Sequence, residues 1–158
     1  ILVPVPVGLL IPFWLFREYP QTFEIGFFRF TAVPIFIFGF IVFCWSIFSF
    51  FIKGGGTPAI YFAKYFSLLI GKEPTQLVSA DLYKYSRNPM YVGVISIMLA
   101  LGLFNQSYAL IIYAGFLFLF FTFVIIFFEE PHLKKKHGYE YENYLKTTPR
   151  WIGYRRRA

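Results

Sequence analysis

Charged residues, cysteine and histidine are scarce in this 158-residue sequence. Asp, Glu, Lys and Arg together make up 15% of the chain, against about 25% in an ordinary soluble domain. A single Cys excludes a disulfide framework and a cluster of thiolate metal ligands. Two His are too few for a His-rich metal centre, so no metal site is predicted. No glycine-rich nucleotide-binding motif of the soluble type occurs either.

Apolar and aromatic residues are abundant instead. They account for 58% and 24% of the chain, with 23 Phe, and the mean hydropathy is +0.59. This composition excludes intrinsic disorder, because disordered chains are polar and poor in aromatics. It also argues against a soluble globular domain, which could not cover so much apolar surface. The length predicts a single membrane-embedded domain over residues 1–158.

Four apolar stretches organise the chain, at residues 1–16, 31–52, 90–104 and 108–128. The second and fourth run for 22 and 21 residues without a charge, and about 20 residues cross the hydrocarbon core of a bilayer. The first lacks a basic n-region and a cleavage site, so it is interpreted as a membrane segment rather than a signal peptide. Asn-Gln-Ser at 105–107 is a good turn, which predicts a tight helical hairpin from the last two stretches.

The positions of Lys and Arg predict the topology. Five lie within residues 53–89 and eight from residue 129 onward, whereas residues 17–30 hold two and residues 105–107 none. The positive-inside rule therefore places the 53–89 loop and the C-terminal tail in the cytoplasm. The net charge of +7 is thus interpreted as a topology signal, and no nucleic-acid partner is predicted. The fold class expected is an all-α, multi-pass integral membrane bundle of about four transmembrane helices with a cytoplasmic C-terminal helix.

Two parts of the loop that follows the second apolar stretch can each be interpreted in two ways. Residues 54–59, GGGTPA, are typical of a helix stop, and an anion site there is the less favoured interpretation. Residues 60–70 are apolar around Lys64. They predict either a helix lying in the membrane interface or a short re-entrant piece.

The segment at residues 83–93 leads directly into the third apolar stretch. Pro89 suits the first turn of a helix, where its missing N–H is not needed. The free N–H groups of that helix end, together with Arg87, would form a seat for a carboxylate or a phosphate. The alternative is a basic loop that meets lipid head groups.

Glu129 and Glu130 follow the fourth apolar stretch immediately. Ionisable groups at membrane depth are costly and are therefore functional candidates. The alternative is that both mark the water boundary before a helix that begins near Pro131. A tight hairpin would bring Arg87 beside this pair and create one site with a cation, helix N–H groups and two carboxylates. Such a site suits a zwitterionic, amino-acid-like ligand.

Residues 81–152 resemble the isoprenylcysteine carboxyl methyltransferase and phospholipid methyltransferase superfamily of integral membrane enzymes. The family pattern is Gly-x-Tyr-x-Tyr-x-Arg-(His/Asn)-Pro-x-Tyr-x-Gly, a helical hairpin, Glu-Glu-x-x-Leu, Phe-Gly-x-x-Tyr-x-x-Tyr and a closing Pro-Arg. The matching residues are Tyr83, Tyr85, Arg87, Asn88, Pro89, Tyr91, Gly93, Glu129, Glu130, Leu133, Gly138, Tyr141, Tyr144, Pro149 and Arg150. The chain departs from the pattern at Asp81, where Gly is usual, at His137, where Phe is usual, and at Asn88, where many members have His. Residues 60–76 also depart from the short proline-rich connection of small members.

The resemblance implies S-adenosylmethionine as the methyl donor, bound on the cytoplasmic side. The cofactor-binding residues it implies are Asn88, Pro89, Tyr91, Gly93, Glu129, Glu130, Tyr141 and Tyr144. The catalytic candidates are Arg87 and Arg150, either of which would hold an acidic acceptor, and Glu130, which would take the proton of an amine acceptor. The partners expected are the lipid bilayer and a lipophilic acceptor. A lipid amine, a prenylated cysteine carboxylate and a small hydrophobic metabolite all remain open.

Two other functions remain open. Membrane sterol-type reductases are similar around the Arg-His-Pro-x-Tyr region and would use a nicotinamide cofactor. A non-enzymatic membrane interaction protein would use its basic tail to bind anionic lipid. The adjacent glutamates and the small size favour the methyltransferase.

Overall fold

The computed structural model of the chain describes residues 6–53, 77 and 81–154. These residues are helical or lie in turns, and extended pairing among them is limited to an isolated antiparallel bridge between Thr22 and Ser107. The predicted all-α class is confirmed. The predictions for residues 54–59 and 60–76 fall outside the described residues.

The described part of the chain contains six α-helices, which are α1 (Ile11–Glu18), α2 (Ala32–Lys53), α3 (Pro89–Phe104), α4 (Tyr108–Val124), α5 (Glu130–His137) and α6 (Tyr139–Thr147). Three shorter helical turns lie between or before them, and a π-helical turn joins α4 to α5. Of these turns, Pro6–Leu10 is also π-helical, and Gly26–Thr31 and Asp81–Lys84 are 3-10 helices. The π-helical turn between α4 and α5 is Ile125–Glu129.

Within residues 6–53 and 81–154, two helical stretches are long and apolar enough to cross a membrane. They are Gly26–Ser49, whose apolar 18-residue window has a mean hydropathy of 2.2, and Tyr108–Thr147, whose apolar 18-residue window has a mean hydropathy of 2.8. They include most of the predicted second apolar segment and all of the fourth. The third predicted segment is the shorter apolar helix α3, of 16 residues. Large exposed side chains on these helices, such as Phe48 and Leu119, present apolar surface of the kind that lipid covers. The predicted number of spans and their orientation remain predictions.

The chain divides into two compact units. One contains Ile1–Ile41 and Tyr91–Phe121, and the other contains Val42–Met90 and Thr122–Ala158. The first unit holds the turn between α3 and α4, and the second holds most of the motif residues. The interpretation of residues 1–158 as one domain remains a prediction.

Close helix packing confirms the predicted hairpin in the first unit. A Cβ atom on Gly102 of α3 would lie 2.8 Å from the side chain of Ile111 on α4, so only glycine allows this approach. The turn at residues 105–107 is stabilised by the Asn105 side chain, whose Nδ2 donates to the Leu101 carbonyl at 2.8 Å. Gln106 accepts from the N–H of Ile25 through its side chain at 2.9 Å.

Tyrosines form the core of the second unit. Tyr83, Tyr141 and Tyr144 are buried, and the partly buried Leu77, Leu133 and Leu145 pack against them. Tyr141 and Tyr144 are three residues apart on α6 and therefore lie on one face of that helix. This face ties the C-terminal helix to the segment before α3.

Candidate active site

Three charged side chains meet in the second unit. The Glu130 carboxylate accepts from Arg87 Nη1 at 2.9 Å and from Arg150 Nε at 2.9 Å, both through Oε1. Arg150 Nη2 donates to the other oxygen, Oε2, at 3.1 Å. The side chains of Arg87, Glu130 and Arg150 are 11%, 17% and 33% exposed. We call this group the Arg–Glu–Arg cluster; its two cations and one anion leave one positive charge in excess.

A π-helical turn places Glu130 in this cluster. The N–H of Glu130 donates to the carbonyl of Ile125, five residues earlier, instead of the usual four. Pro131 explains the change, because proline lacks an N–H and its ring clashes with the carbonyl four residues before it. The wider turn adds a residue to the helix and changes the direction in which the following side chains point. Turns of this kind are frequent at functional sites.

Backbone hydrogen bonds bring Arg150 to the same place. The N–H of Arg87 donates to the Pro149 carbonyl at 3.0 Å, and the N–H of Gly153 donates to the Tyr85 carbonyl at 3.1 Å. Between them, Asn88 Nδ2 donates to the Arg150 carbonyl at 3.0 Å. Residues 85–88 and 149–153 are therefore held side by side, and both arginines face one carboxylate.

The corner between α5 and α6 is made by Gly138. Its backbone has φ 54° and ψ −127°, a conformation that a residue with a Cβ atom adopts only with strain. The corner directs α6 so that the Tyr144 hydroxyl donates to the Tyr83 carbonyl at 2.7 Å. Tyr141 is buried on the same face of α6.

Charge and burial change the pKa values of two groups at the site. The hydrogen bond to Glu130 raises the pKa of Arg150, so its guanidinium stays charged. Burial raises the pKa of the Tyr83 hydroxyl above its ordinary value, with a further increase from Tyr144. Tyr83 is therefore a neutral hydroxyl at physiological pH.

A cavity of about 260 Å³ lies beside the cluster. It is lined by Arg87, Leu145, Lys146, Thr148, Pro149 and Arg150. The Nε atom of Arg87 is buried, and it has no hydrogen-bond partner within the described part of the chain. Three cationic side chains thus border a space large enough for a small polar group.

The structure confirms that Arg87 and Glu130 lie together, as the hairpin predicted. Of the other predicted site residues, Asn88, Pro89, Glu129, Tyr141, Tyr144 and Arg150 belong to the same unit. Tyr91 and Gly93 belong to the first unit. There the Tyr91 ring stacks on Phe121 with ring centroids 4.3 Å apart. The functional roles of all these residues remain predictions.

Sequence reasoning missed three features of the site. It did not join Arg150 to Glu130, it did not assign Asn88 to the Arg150 carbonyl, and it did not find Lys146 at the cavity. The first two depend on the pairing of residues 85–88 with 149–153, which leaves no periodic signal. The π-helical turn did leave a signal in the sequence, because Pro131 lies only three residues after the end of the apolar run.

Comparison with known protein families gives a match over most of the chain. The model of a family described as phospholipid methyltransferase matches residues 27–140. The match includes Arg87, Asn88, Glu130 and the hairpin, and it ends within α6 before Tyr141. No curated protein and no solved structure matches the chain.

Proposed function

We propose that this chain, which belongs to the phospholipid methyltransferase family, transfers a methyl group from S-adenosylmethionine to a lipophilic acceptor at the cytoplasmic surface of a membrane. Family membership supports a membrane methyltransferase, and the two long apolar helices agree with it. The observation that supports the site is the Arg–Glu–Arg cluster, in which one carboxylate joins the three motif segments that contain Arg87, Glu130 and Arg150. Among the acceptors that the sequence left open, the family favours a lipid amine.

The residues of the second unit fit S-adenosylmethionine chemically. The ammonium and sulfonium groups of this cofactor need carboxylates or aromatic faces, and Glu129 with Tyr141 offers both. The cofactor carboxylate needs N–H donors. The first turn of α3, which begins at Pro89, presents backbone N–H groups and the positive end of the helix dipole. We therefore assign the cofactor to Glu129, Tyr141 and the start of α3.

When bound, S-adenosylmethionine supplies a methyl group that is already activated by its positive sulfur. The protein then mainly aligns the reactants and supplies a fixed electrostatic field. Glu130 holds the guanidinium groups of Arg87 and Arg150 in place through both carboxylate oxygens. The arginines are thereby oriented before any acceptor arrives, which is the preorganisation that such a field requires.

The acceptor decides whether a base is needed. A carboxylate acceptor needs none, whereas an amine must lose its proton to react. Glu130 would take that proton only by releasing a hydrogen bond from one of the arginines, because both of its oxygens already accept. We therefore assign Glu130 to positioning the arginines, and its predicted role as the base depends on that release.

Binding of S-adenosylhomocysteine to the detergent-purified protein, measured by calorimetry, tests the proposal. We expect saturable binding by the wild type and a loss of about tenfold in affinity or more in Glu129→Gln, because a charge-assisted contact is removed. Glu140→Gln is the matched control, since Glu140 is exposed on α6, and it should bind like the wild type.

The outcomes separate the candidate enzymes. If a folded wild-type protein fails to bind S-adenosylhomocysteine, the methyltransferase proposal is wrong, and titration with a reduced nicotinamide would follow. If it binds, labelled methyl traced into lipid, protein and small-molecule fractions identifies the acceptor class. Circular dichroism establishes that each variant is folded.

A further inference from the structure

We propose that Asn88 is a positioning residue, whose side-chain amide holds the backbone of Arg150 and thereby orients the Arg150 guanidinium in the Arg–Glu–Arg cluster. The inference rests on the proposed function, because it gives Asn88 a part in preparing the arginines for the acceptor. It replaces the cofactor contact that the resemblance implied for Asn88. The cofactor stays assigned to Glu129, Tyr141 and the start of α3.

Arg150 depends for its position on contacts that no helix supplies. It lies three residues after α6 ends at Thr147, in a bend. Its carbonyl accepts from Asn88 Nδ2 at 3.0 Å, and its guanidinium donates to both carboxylate oxygens of Glu130. Arg150 is therefore held at its backbone and at the far end of its side chain. Because a free arginine side chain has many rotamers, holding both ends leaves the guanidinium few orientations.

Asn88 is itself held in place before it reaches Arg150. Its backbone N–H donates to Ser86 Oγ at 3.1 Å, and Ser86 is buried. Pro89 follows directly, and a proline ring restricts the residue before it to extended backbone conformations. The amide of Asn88 therefore projects from a constrained backbone, as a side chain that positions another residue must.

The contact with Arg150 requires the nitrogen of the Asn88 amide. Asn88 directly precedes α3, and Asn, Asp and Ser are about equally favourable at such a position because each supplies an oxygen to cap the helix. A carbonyl only accepts hydrogen bonds, so the group that faces the Arg150 carbonyl must be a donor. Aspartate would therefore keep the capping oxygen and lose the donor. Histidine would restore a donor, because its Nδ1 occupies the same place along the side chain as Asn Nδ2.

This difference between aspartate and histidine gives the test. The full-length proteins in detergent are the wild type, Asn88→Asp, Asn88→His and the matched control Asn143→Asp. Asn143 is exposed on α6, and its replacement changes the net charge by the same amount. Asn88→Ala is a second variant that removes the donor without adding a charge.

The direct measurement is nuclear magnetic resonance of the Arg150 Nε–H proton, which donates to Glu130 Oε1 at 2.9 Å. The signal is identified by its loss in Arg150→Lys, and its rate of exchange with water reports how firmly the guanidinium is held. Calorimetry gives the affinity of each protein for S-adenosylhomocysteine. Transfer of labelled methyl from S-adenosylmethionine to the total lipid of the host membrane gives kcat and KM.

We expect the Arg150 Nε–H proton to exchange about tenfold faster in Asn88→Asp and Asn88→Ala, because one hydrogen bond that holds Arg150 is lost. Asn88→His should return the rate toward that of the wild type, and Asn143→Asp should leave it unchanged. The affinity for S-adenosylhomocysteine should be equal in all these proteins. In Asn88→Asp, kcat should fall by a similar factor while KM for S-adenosylmethionine stays the same.

Four results would overturn the inference. A lower affinity for S-adenosylhomocysteine in Asn88→Asp, with the Arg150 exchange rate unchanged, would make Asn88 a cofactor ligand. Wild-type exchange in both Asn88→Asp and Asn88→Ala would show that the backbone hydrogen bonds hold Arg150 alone. Faster exchange that Asn88→His does not reverse, or that Asn143→Asp reproduces, would exclude the donated hydrogen bond as the cause.

Failure of the proposed function would look different. The wild type would then bind no S-adenosylhomocysteine and transfer no methyl group. The exchange rates of the Arg150 proton would still decide whether Asn88 positions Arg150, because that measurement needs neither cofactor nor acceptor.

Discussion

Arg87 Nη1 lies 2.9 Å from Glu130 Oε1, although 43 residues separate the two along the chain. The same oxygen accepts from Arg150 Nε at 2.9 Å. One carboxylate therefore holds two like charges close together, and these charges would repel each other in its absence. Because the arginines come from the segment before α3 and from the C-terminal tail, Glu130 connects all three motif segments of the second unit.

Replacing Glu130 with glutamine should destabilise the protein. The substituted amide would present a neutral oxygen to two guanidinium groups and would place an N–H donor against one of them. We expect a loss of about 2–3 kcal/mol in the free energy of unfolding, because hydrogen bonds to charged groups contribute about that much. Reversible unfolding in detergent measures it. Glu140→Gln, at an exposed position on α6, should change the stability little; equal effects of the two substitutions would contradict the bridging role of Glu130.

The Tyr144 hydroxyl supports a second prediction. It donates to the Tyr83 carbonyl at 2.7 Å inside the tyrosine core. Tyr144→Phe would leave that buried carbonyl without this donor, and we expect a loss of about 1–2 kcal/mol in the free energy of unfolding. Tyr139→Phe is the control, because Tyr139 is 75% exposed. A Tyr144→Phe protein as stable as the wild type would show that water satisfies the carbonyl equally well.

Hydrophobicity and turn chemistry predicted the helices closely. The apolar runs at 31–52 and 90–104 became α2 (Ala32–Lys53) and α3 (Pro89–Phe104), each within a residue of the expected ends. The prediction worked because an uncharged run of this length has no favourable alternative to a helix in lipid. It was less successful at 108–128, where Pro131 converts the end of the run into a π-helical turn that hydropathy does not register.

The part of the site that a short turn brings together could be predicted from the sequence. The part that tertiary contacts alone create could not. A short turn between two helices forces their outer ends together, so the meeting of Arg87 and Glu130 followed from the sequence. Arg150 reaches Glu130 through backbone hydrogen bonds such as that from Arg87 N–H to the Pro149 carbonyl. Backbone pairing of this kind is independent of side-chain identity and leaves no pattern to read. The same contacts turn Asn88, a predicted cofactor ligand, toward the Arg150 carbonyl.

Stability should fall at alkaline pH because of Tyr83. Burial raises the pKa of its hydroxyl above the ordinary value of 10.0, so the folded protein keeps a proton that the unfolded chain releases. The stabilisation is therefore fully present below the unfolded pKa and is lost as the pH rises toward the folded one. Thermal midpoints between about pH 9 and pH 11 should fall more steeply in the wild type than in Tyr83→Phe. Tyr139→Phe should keep the wild-type slope; if Tyr83→Phe keeps it too, another group causes the alkaline loss.

Substitution of Gly138 should destabilise the protein because of the backbone conformation at this residue and not because neighbouring atoms leave no space for a side chain. A Cβ atom there would meet nothing within 4 Å, yet φ is +54°. Gly138→Ala should therefore cost about 1–3 kcal/mol in the free energy of unfolding, because φ 54° with ψ −127° is a sparsely populated backbone region for a residue with a Cβ atom. Gly115→Ala is a matched control, since Gly115 also has open space around it but lies within α4, where alanine is favoured.

If Gly138→Ala relaxes the corner instead, α6 turns and the Tyr144 hydroxyl leaves the Tyr83 carbonyl. Tyr144→Phe should then cost no further stability in the Gly138→Ala background. Additive losses from the two substitutions would show that the corner keeps its geometry and that the cost is backbone strain alone.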